Sequence, residues 1–222
     1  GAKVIIVDKN LSLANNTVNI IREKDGEALG ISGDLTQANE CKKVVEFSLD
    51  NWGRLDILDN NIGIASKLSV VDETEEYWDH LMNINLKPMF LMSKFSIPAM
   101  MNSGDGGSIV NISSISATRP KGLTSYSASK GAVLSLSQAM AVDHGKDGIR
   151  VNCILPGPVY TPMVYSDGMT ESQRSQRQNA SLIEMEGTGW DIGKAVATAM
   201  GMVNAIWWAK EKGRTRKTKC EM

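Results

Sequence analysis

Histidine and cysteine are scarce in this chain. There are two histidines, His80 and His144, and three cysteines, Cys41, Cys153 and Cys220, in 222 residues. Odd in number and scattered, the cysteines argue against a disulfide framework and fit a reducing cytoplasm. No Cys/His cluster has zinc-ligand spacing, so no metal site is expected. No apolar stretch is long enough to cross a bilayer. The opening run Val4-Ile5-Ile6-Val7 is too short for the apolar region of a signal peptide. The net charge is -1, which gives the whole molecule no electrostatic attraction to nucleic acid or to a membrane surface. A cluster of basic residues near the end (Lys210, Lys212, Arg214, Arg216, Lys217, Lys219) reads as a solvated tail rather than a nucleic-acid-binding arm. Hydrophobic residues at 42% and charged residues at 22% describe an ordinary globular composition, long enough for one domain with a core.

Short apolar runs alternate with longer helix-period patterns. The runs cover 4–7, 28–32, 55–58, 108–112 and 149–155. They lack in/out alternation and read as strands buried on both faces. Helices are expected at about 11–24, 36–52, 74–102, 124–144 and 191–210. Alternating strands and helices imply an α/β fold, a parallel sheet with helices on both sides. Ligands of such sheets bind beyond the carboxyl ends of the strands. Polar and glycine residues stand there: Asp8, Asp34, Asn60-Asn61-Ile62-Gly63, Ser113-Ser114 and Pro156-Gly157. The polar, weakly periodic stretch 163–187 reads as a mobile loop region.

Tyr126 and Lys130 carry the most chemistry. Four residues apart, they share one helix face. A phenol has an ordinary pKa of about 10, and a nearby ammonium stabilises its phenolate. The pair is a proton-transfer device in outline. With Asn60-Asn61-Ile62-Gly63, Asn85 in Ile84-Asn85-Leu86, Asn111-Ile112-Ser113-Ser114, Tyr126-Ser127-Ala128-Ser129-Lys130, and Arg150-Val151-Asn152-Cys153 leading into Pro156-Gly157, the chain resembles the short-chain dehydrogenase/reductase family. The resemblance covers about residues 1–196, a domain followed by an atypical helical and basic segment at 197–222.

That resemblance implies a Rossmann-like doubly wound sheet and hydride transfer between NAD(P)(H) and a secondary alcohol or ketone. Tyr126 would be the general acid or base, and Lys130 would assist it and hold the nicotinamide ribose. Ser114, with the adjacent Ser113 as the alternative, would hold the substrate oxygen. Asn85 would anchor a water beside Lys130. Asp8 would bind the adenosine ribose and repel a 2′-phosphate, favouring NAD(H) over NADP(H), with Lys9 as a basic neighbour that softens this choice. Asp34 and Leu35 would contact adenine. Asn60 and Gly63 would line the cofactor cleft, and Pro156, Gly157, Val159 and Thr161 would contact the nicotinamide amide. Cys153 would be a small core residue. Met163, Tyr165, Met169 and Leu182 are candidates for an apolar substrate wall. The resemblance also implies a homodimer or homotetramer pairing through the long helices.

The sequence departs from the family pattern in three places. It opens at what corresponds to the second strand, so the first strand and the Gly-rich pyrophosphate turn, roughly 30 residues of a βαβ unit, have no counterpart here. After residue 196 the final strand of the family has no counterpart, and Val196, Met200, Val203 and Trp207 continue a helical stripe. The sheet is therefore expected to be incomplete, without its first and last strands. The alternative activity reading is a non-catalytic relative that binds cofactor poorly or acts by pairing with a full-length one. Asp59 stands where the family more often has an apolar residue, and if buried it needs a partner or a proton.

Overall fold

The computed structural model describes residues 1–120, 122–165, 168–181 and 184–201. In chain order the main elements are β1 (Lys3–Asp8), α1 (Leu11–Arg22), β2 (Glu27–Ser32), α2 (Ala38–Trp52), β3 (Ile57–Asn60), α3 (Glu75–Asn85), α4 (Lys87–Asn102), β4 (Gly107–Ile112), α5 (Thr124–His144), β5 (Ile149–Ile154), β6 (Val159–Tyr160), α6 (Pro162–Tyr165), α7 (Glu171–Asn179), β7 (Gly187–Thr188) and α8 (Gly189–Met200). All strand pairs are parallel. The α/β Rossmann-like expectation holds. Among the described residues the sheet is in three pieces: β1 pairs with β2, β3-β4-β5 form a second ladder, and β6 pairs with β7. None of the described helices is long and apolar enough to cross a membrane.

Burial follows from this arrangement. Strand β4 has neighbours on both sides, and Ser108 to Ile112 are all buried. The expectation of two buried faces fails for β1, which is half-buried, and for β3. In β3, Leu58 and Asn60 are buried while Ile57 and Asp59 are exposed. Each of these strands has a neighbour on one side only, so less of its surface is covered. Asp59 accordingly keeps contact with water, yet the groups packed around it still desolvate its carboxyl and push it up to about 6, toward taking up a proton. The main core joins Cys41, Val44 and Val45 of α2, Leu91, Met92, Ile97 and Met100 of α4, and Ile109 and Val151 of the sheet.

The single helix expected at 74–102 is two helices. Leu86, the turn residue between them, has a φ of -115°, stretched from the usual helical value. Pro88 lies in the first turn of α4; it has no N–H to continue the ladder from α3, and its ring would clash with the carbonyl of Ile84. The stretch read as mobile loop also contains α7. Thr170 and Gln173 form a reciprocal capping box at its start, which satisfies two amides otherwise left without partners. The start of the helix expected at 191–210 is α8; Val203, Trp207 and the basic residues 210–219 lie outside the described residues.

Arg150 and Asn152 of β5 close the end of α8. The Arg150 guanidinium donates to the carbonyls of Ala199 (3.1 Å) and Met200 (2.6 Å), and the Asn152 amide donates to Ala199 (3.1 Å). These bonds fill carbonyls that have no acceptor role inside the helix, and a cation suits a helix C-terminus. Arg150→Ala should lower unfolding free energy by about 2 kcal/mol, as for loss of charge-assisted hydrogen bonds. Urea unfolding is the check, and an unchanged midpoint would show that α8 is not held this way.

Candidate active site

The site begins where β4 ends. Beyond the strand, the Ser113 amide donates to Ile154 (2.8 Å) and the Ile115 amide to Pro156 (2.9 Å). These bonds extend the β4–β5 pairing through the serine turn and set it beside the Pro156-Gly157 loop.

Helix α5 packs over this end of the sheet with an unusual buried face: Ser125, Ser129, Lys130, Val133, Ser137 and Met140. Small side chains let the helix approach closely, and their hydroxyls must then be satisfied internally. Ser129 donates to the Tyr126 carbonyl (2.7 Å), and Ser137 to the Val133 carbonyl (2.7 Å). Ser137 also accepts from the Asn111 amide (2.8 Å), whose oxygen accepts from the Asn60 amide (2.8 Å). Asn60 and Asn111 thus form a buried polar chain from β3 through β4 to α5. The Asn60 amide nitrogen thus donates inward to Asn111.

Lys130 is tied to β4 twice. Its ammonium donates to the Ile112 carbonyl (2.9 Å), and its own carbonyl accepts from the Ser113 hydroxyl (2.7 Å). The amine lies 5.8 Å from the centroid of the Tyr126 ring. Burial pushes the Lys130 ammonium down from 10.5 to about 8. A charged amine in this position is costly unless its donors are used.

Asn85 sits where α3 breaks from α4. Its oxygen accepts from the Ile64 amide (2.8 Å), and its nitrogen donates to the Ile64 carbonyl (2.9 Å) and to the Ser129 hydroxyl (3.0 Å). Both Asn85 and Lys130 crowd Gly63: a Cβ there would lie 3.3 Å from the Asn85 oxygen and 3.3 Å from the Lys130 nitrogen. A side chain at 63 would therefore press on both groups, and glycine allows the close approach.

The two serines now separate. The Ser113 hydroxyl proton is committed to the Lys130 carbonyl. Among the described residues the Ser114 hydroxyl only accepts, from the Ser116 amide (3.2 Å), which leaves its proton available to another acceptor. Sequence spacing had no means of telling them apart.

A second cluster stands at the ends of β1 and β2. Asp8 accepts from the Asn10 amide (2.8 Å). Asp34 accepts from the Thr36 hydroxyl (2.7 Å) and amide (3.0 Å) and pairs with Lys9 (3.1 Å). The Thr36 hydroxyl, opposed by a smaller effect of burial, holds the Asp34 carboxyl below its ordinary range. Leu35 packs against the main core and its carbonyl accepts from the Cys41 thiol (3.2 Å). In the third region, the Val159 carbonyl accepts from Arg177 (3.1 Å) and the Thr161 carbonyl from the Val164 amide (2.8 Å). Gly157 has open space around it. Met163 and Tyr165 are exposed; Leu182 lies outside the described residues. Burial raises the Cys153 thiol pKa, which keeps it protonated and inert.

This geometry has many parallels among known proteins. The family model described as short chain dehydrogenase matches residues 1–172. The chain belongs to the short-chain dehydrogenase family. It is 37% identical over 181 residues to the uncharacterized oxidoreductase YxbG of Bacillus subtilis, covering 80% of this chain and 65% of that one. It is 32% identical over 178 residues to dehydrogenase/reductase SDR family member 4 of Caenorhabditis elegans, covering 78% and 68%. An uncharacterized oxidoreductase of Thermotoga maritima is 40% identical over 159 residues, and there the chain spans 62% of the relative's length. The crystal structure of a short-chain dehydrogenase/reductase from Burkholderia xenovorans superposes with TM-score 0.84 at 32% identity, over 90% of this chain and 78% of that one.

The depressed Lys130 value fixes a pH dependence. Between about pH 8 and 10.5 the folded chain binds fewer protons at Lys130 than the unfolded chain does, so stability rises with pH across that window. The cost of burying the ammonium is fully present below pH 8 and gone above 10.5. The unfolding free energy of the wild type minus that of Lys130→Met should therefore rise by about 2 kcal/mol from near neutrality to about pH 10. Denaturant titrations test this, and a constant difference would contradict it.

Proposed function

We propose that this chain is the catalytic part of an oxidoreductase that interconverts a secondary alcohol and a ketone with NAD(H). The observation that carries the reading is the convergence of Asn85, Gly63 and Lys130 beside Tyr126, with a free Ser114 hydroxyl at the end of β4. A bound nicotinamide supplies or accepts the hydride. The chain's own residues manage the proton. Tyr126 gives its hydroxyl proton to the developing alkoxide in reduction and takes it back in oxidation. Lys130, held by Ile112, places positive charge near the phenol. Ser114 donates to the substrate oxygen where charge develops. Asn85 holds the Ile64 backbone and Ser129, and so fixes the floor on which Lys130 and Gly63 meet.

The residues fit a dinucleotide at its two ends. Asp8 closes β1 where a ribose diol would lie, and the missing side chain at Gly63 lets that backbone sit close against Asn85 and Lys130. Lys9 is paired with Asp34, which leaves it less free to receive a 2′-phosphate and supports NAD(H). Pairing of two copies through α4 and α5 is supported by an open apolar groove lined by Met82, Leu86, Phe90, Ala132 and Leu136, with Phe90 48% exposed.

The assay is NADH oxidation with a panel of ketones. Tyr126→Phe should lower the rate by at least about 100-fold, the usual size of a lost acid–base group. Equal rates for the two proteins would overturn the assignment, and a faster reaction with NADPH would overturn the cofactor preference. Light scattering should report a mass of two or four copies, and a Phe90→Asp variant should shift it to one. A single-copy mass for the wild type rejects the pairing.

A further inference from the structure

The first turn of α5 carries Tyr126, yet it lacks an ordinary cap. The residue before it, Leu123, is in the left-handed region (φ 58°) and no side chain caps the helix. The segment between β3 and α3 does that work. The Leu68 carbonyl accepts from the Thr124 amide (3.2 Å). The Glu73 carboxylate accepts, through Oε2, from the hydroxyl of Ser125, which is fully buried. The same segment is anchored at its start, where Asn85 holds Ile64. It is stiffened between by bonds from the Leu68 amide to the Ser66 hydroxyl (3.2 Å) and from the Glu73 amide to the Ser69 carbonyl (3.0 Å). One strap therefore runs from the Asn85 clamp to the turn that aims Tyr126.

Glu73 is an expensive way to hold a serine. Its other oxygen, Oε1, is buried and has no hydrogen-bond partner. A half-satisfied carboxylate costs stability relative to a neutral acceptor of the same shape. A negative charge beside a helix N-terminus recovers part of that cost.

We propose that Glu73 is a positioning residue that fixes Tyr126 against Lys130 by holding Ser125 in the first turn of α5. This rests on the oxidoreductase reading for its kinetic consequence, but not for its structural one. Glu73→Ala should lower kcat about 10-fold or more while KM stays within about twofold, the pattern of lost alignment rather than lost binding. Glu73→Gln keeps an acceptor for Ser125 and should restore most of kcat. Ser125→Ala removes the donor instead and should match Glu73→Ala, which serves if that variant fails to fold. Amide exchange of residues 122–130 should quicken in Glu73→Ala and not in Glu73→Gln. An unchanged kcat in both Glu73→Ala and Ser125→Ala would overturn the proposal, as would a change confined to KM or a Gln variant no better than Ala. If the wild type turns over no ketone, the oxidoreductase reading fails on its own. Exchange then decides Glu73, and unchanged protection at 122–130 would reject its role.

Discussion

The double tie between Lys130 and β4 is the constraint on which the rest of the site depends. The ammonium reaches down to Ile112 while the backbone of the same residue receives Ser113. Helix and strand are thereby locked in one register at the point where chemistry would occur. A buried amine tolerates this position because its donor is used and its cost is shared with the helix packing. Every other site residue is placed relative to that tie. Tyr126 is one turn up the same helix, Ser114 is the next residue along the same strand end, and Asn85 and Gly63 close on the amine from α3 and from the segment after β3.

The close approach that makes the tie geometrically feasible comes from small residues. Ser125, Ser129 and Ser137 give α5 a narrow buried face, and each hydroxyl is satisfied by a helix carbonyl or by Glu73. The Asn60–Asn111–Ser137 chain then binds three elements together in the interior. Such a network specifies register as well as holding it, because a slip of one residue in β4 would strand two amides without partners. The polar interior is therefore part of how the site is built.

Much of this was legible in the sequence. Apolar runs without alternation marked the strands, and polar residues just after them marked the site end of the sheet. The Tyr126–Lys130 spacing placed both on one helix face. What remained hidden depends on contacts between distant segments. Ser113 and Ser114 are equivalent in spacing and differ only in which way each hydroxyl faces. Asn60 looked like a cleft residue because its neighbours are, but its amide turns inward to Asn111. Periodicity joined α3 and α4 because both keep a 3.6-residue pattern, although Pro88 signalled the break. Helix α7 is polar throughout and shows no stripe; its trace in the sequence is the Thr170–Gln173 box. Glu73 carried no signal, since its partner is 52 residues away.

The central claim is that Tyr126 and Lys130 act as one unit. A double-mutant cycle on ketone reduction, with Tyr126→Phe, Lys130→Met and both together, tests it most directly. Residues that work jointly lose most of their effect with the first substitution, so the double variant should be about as slow as the slower single. Losses that multiply across the cycle would show two independent contributions and would contradict this account.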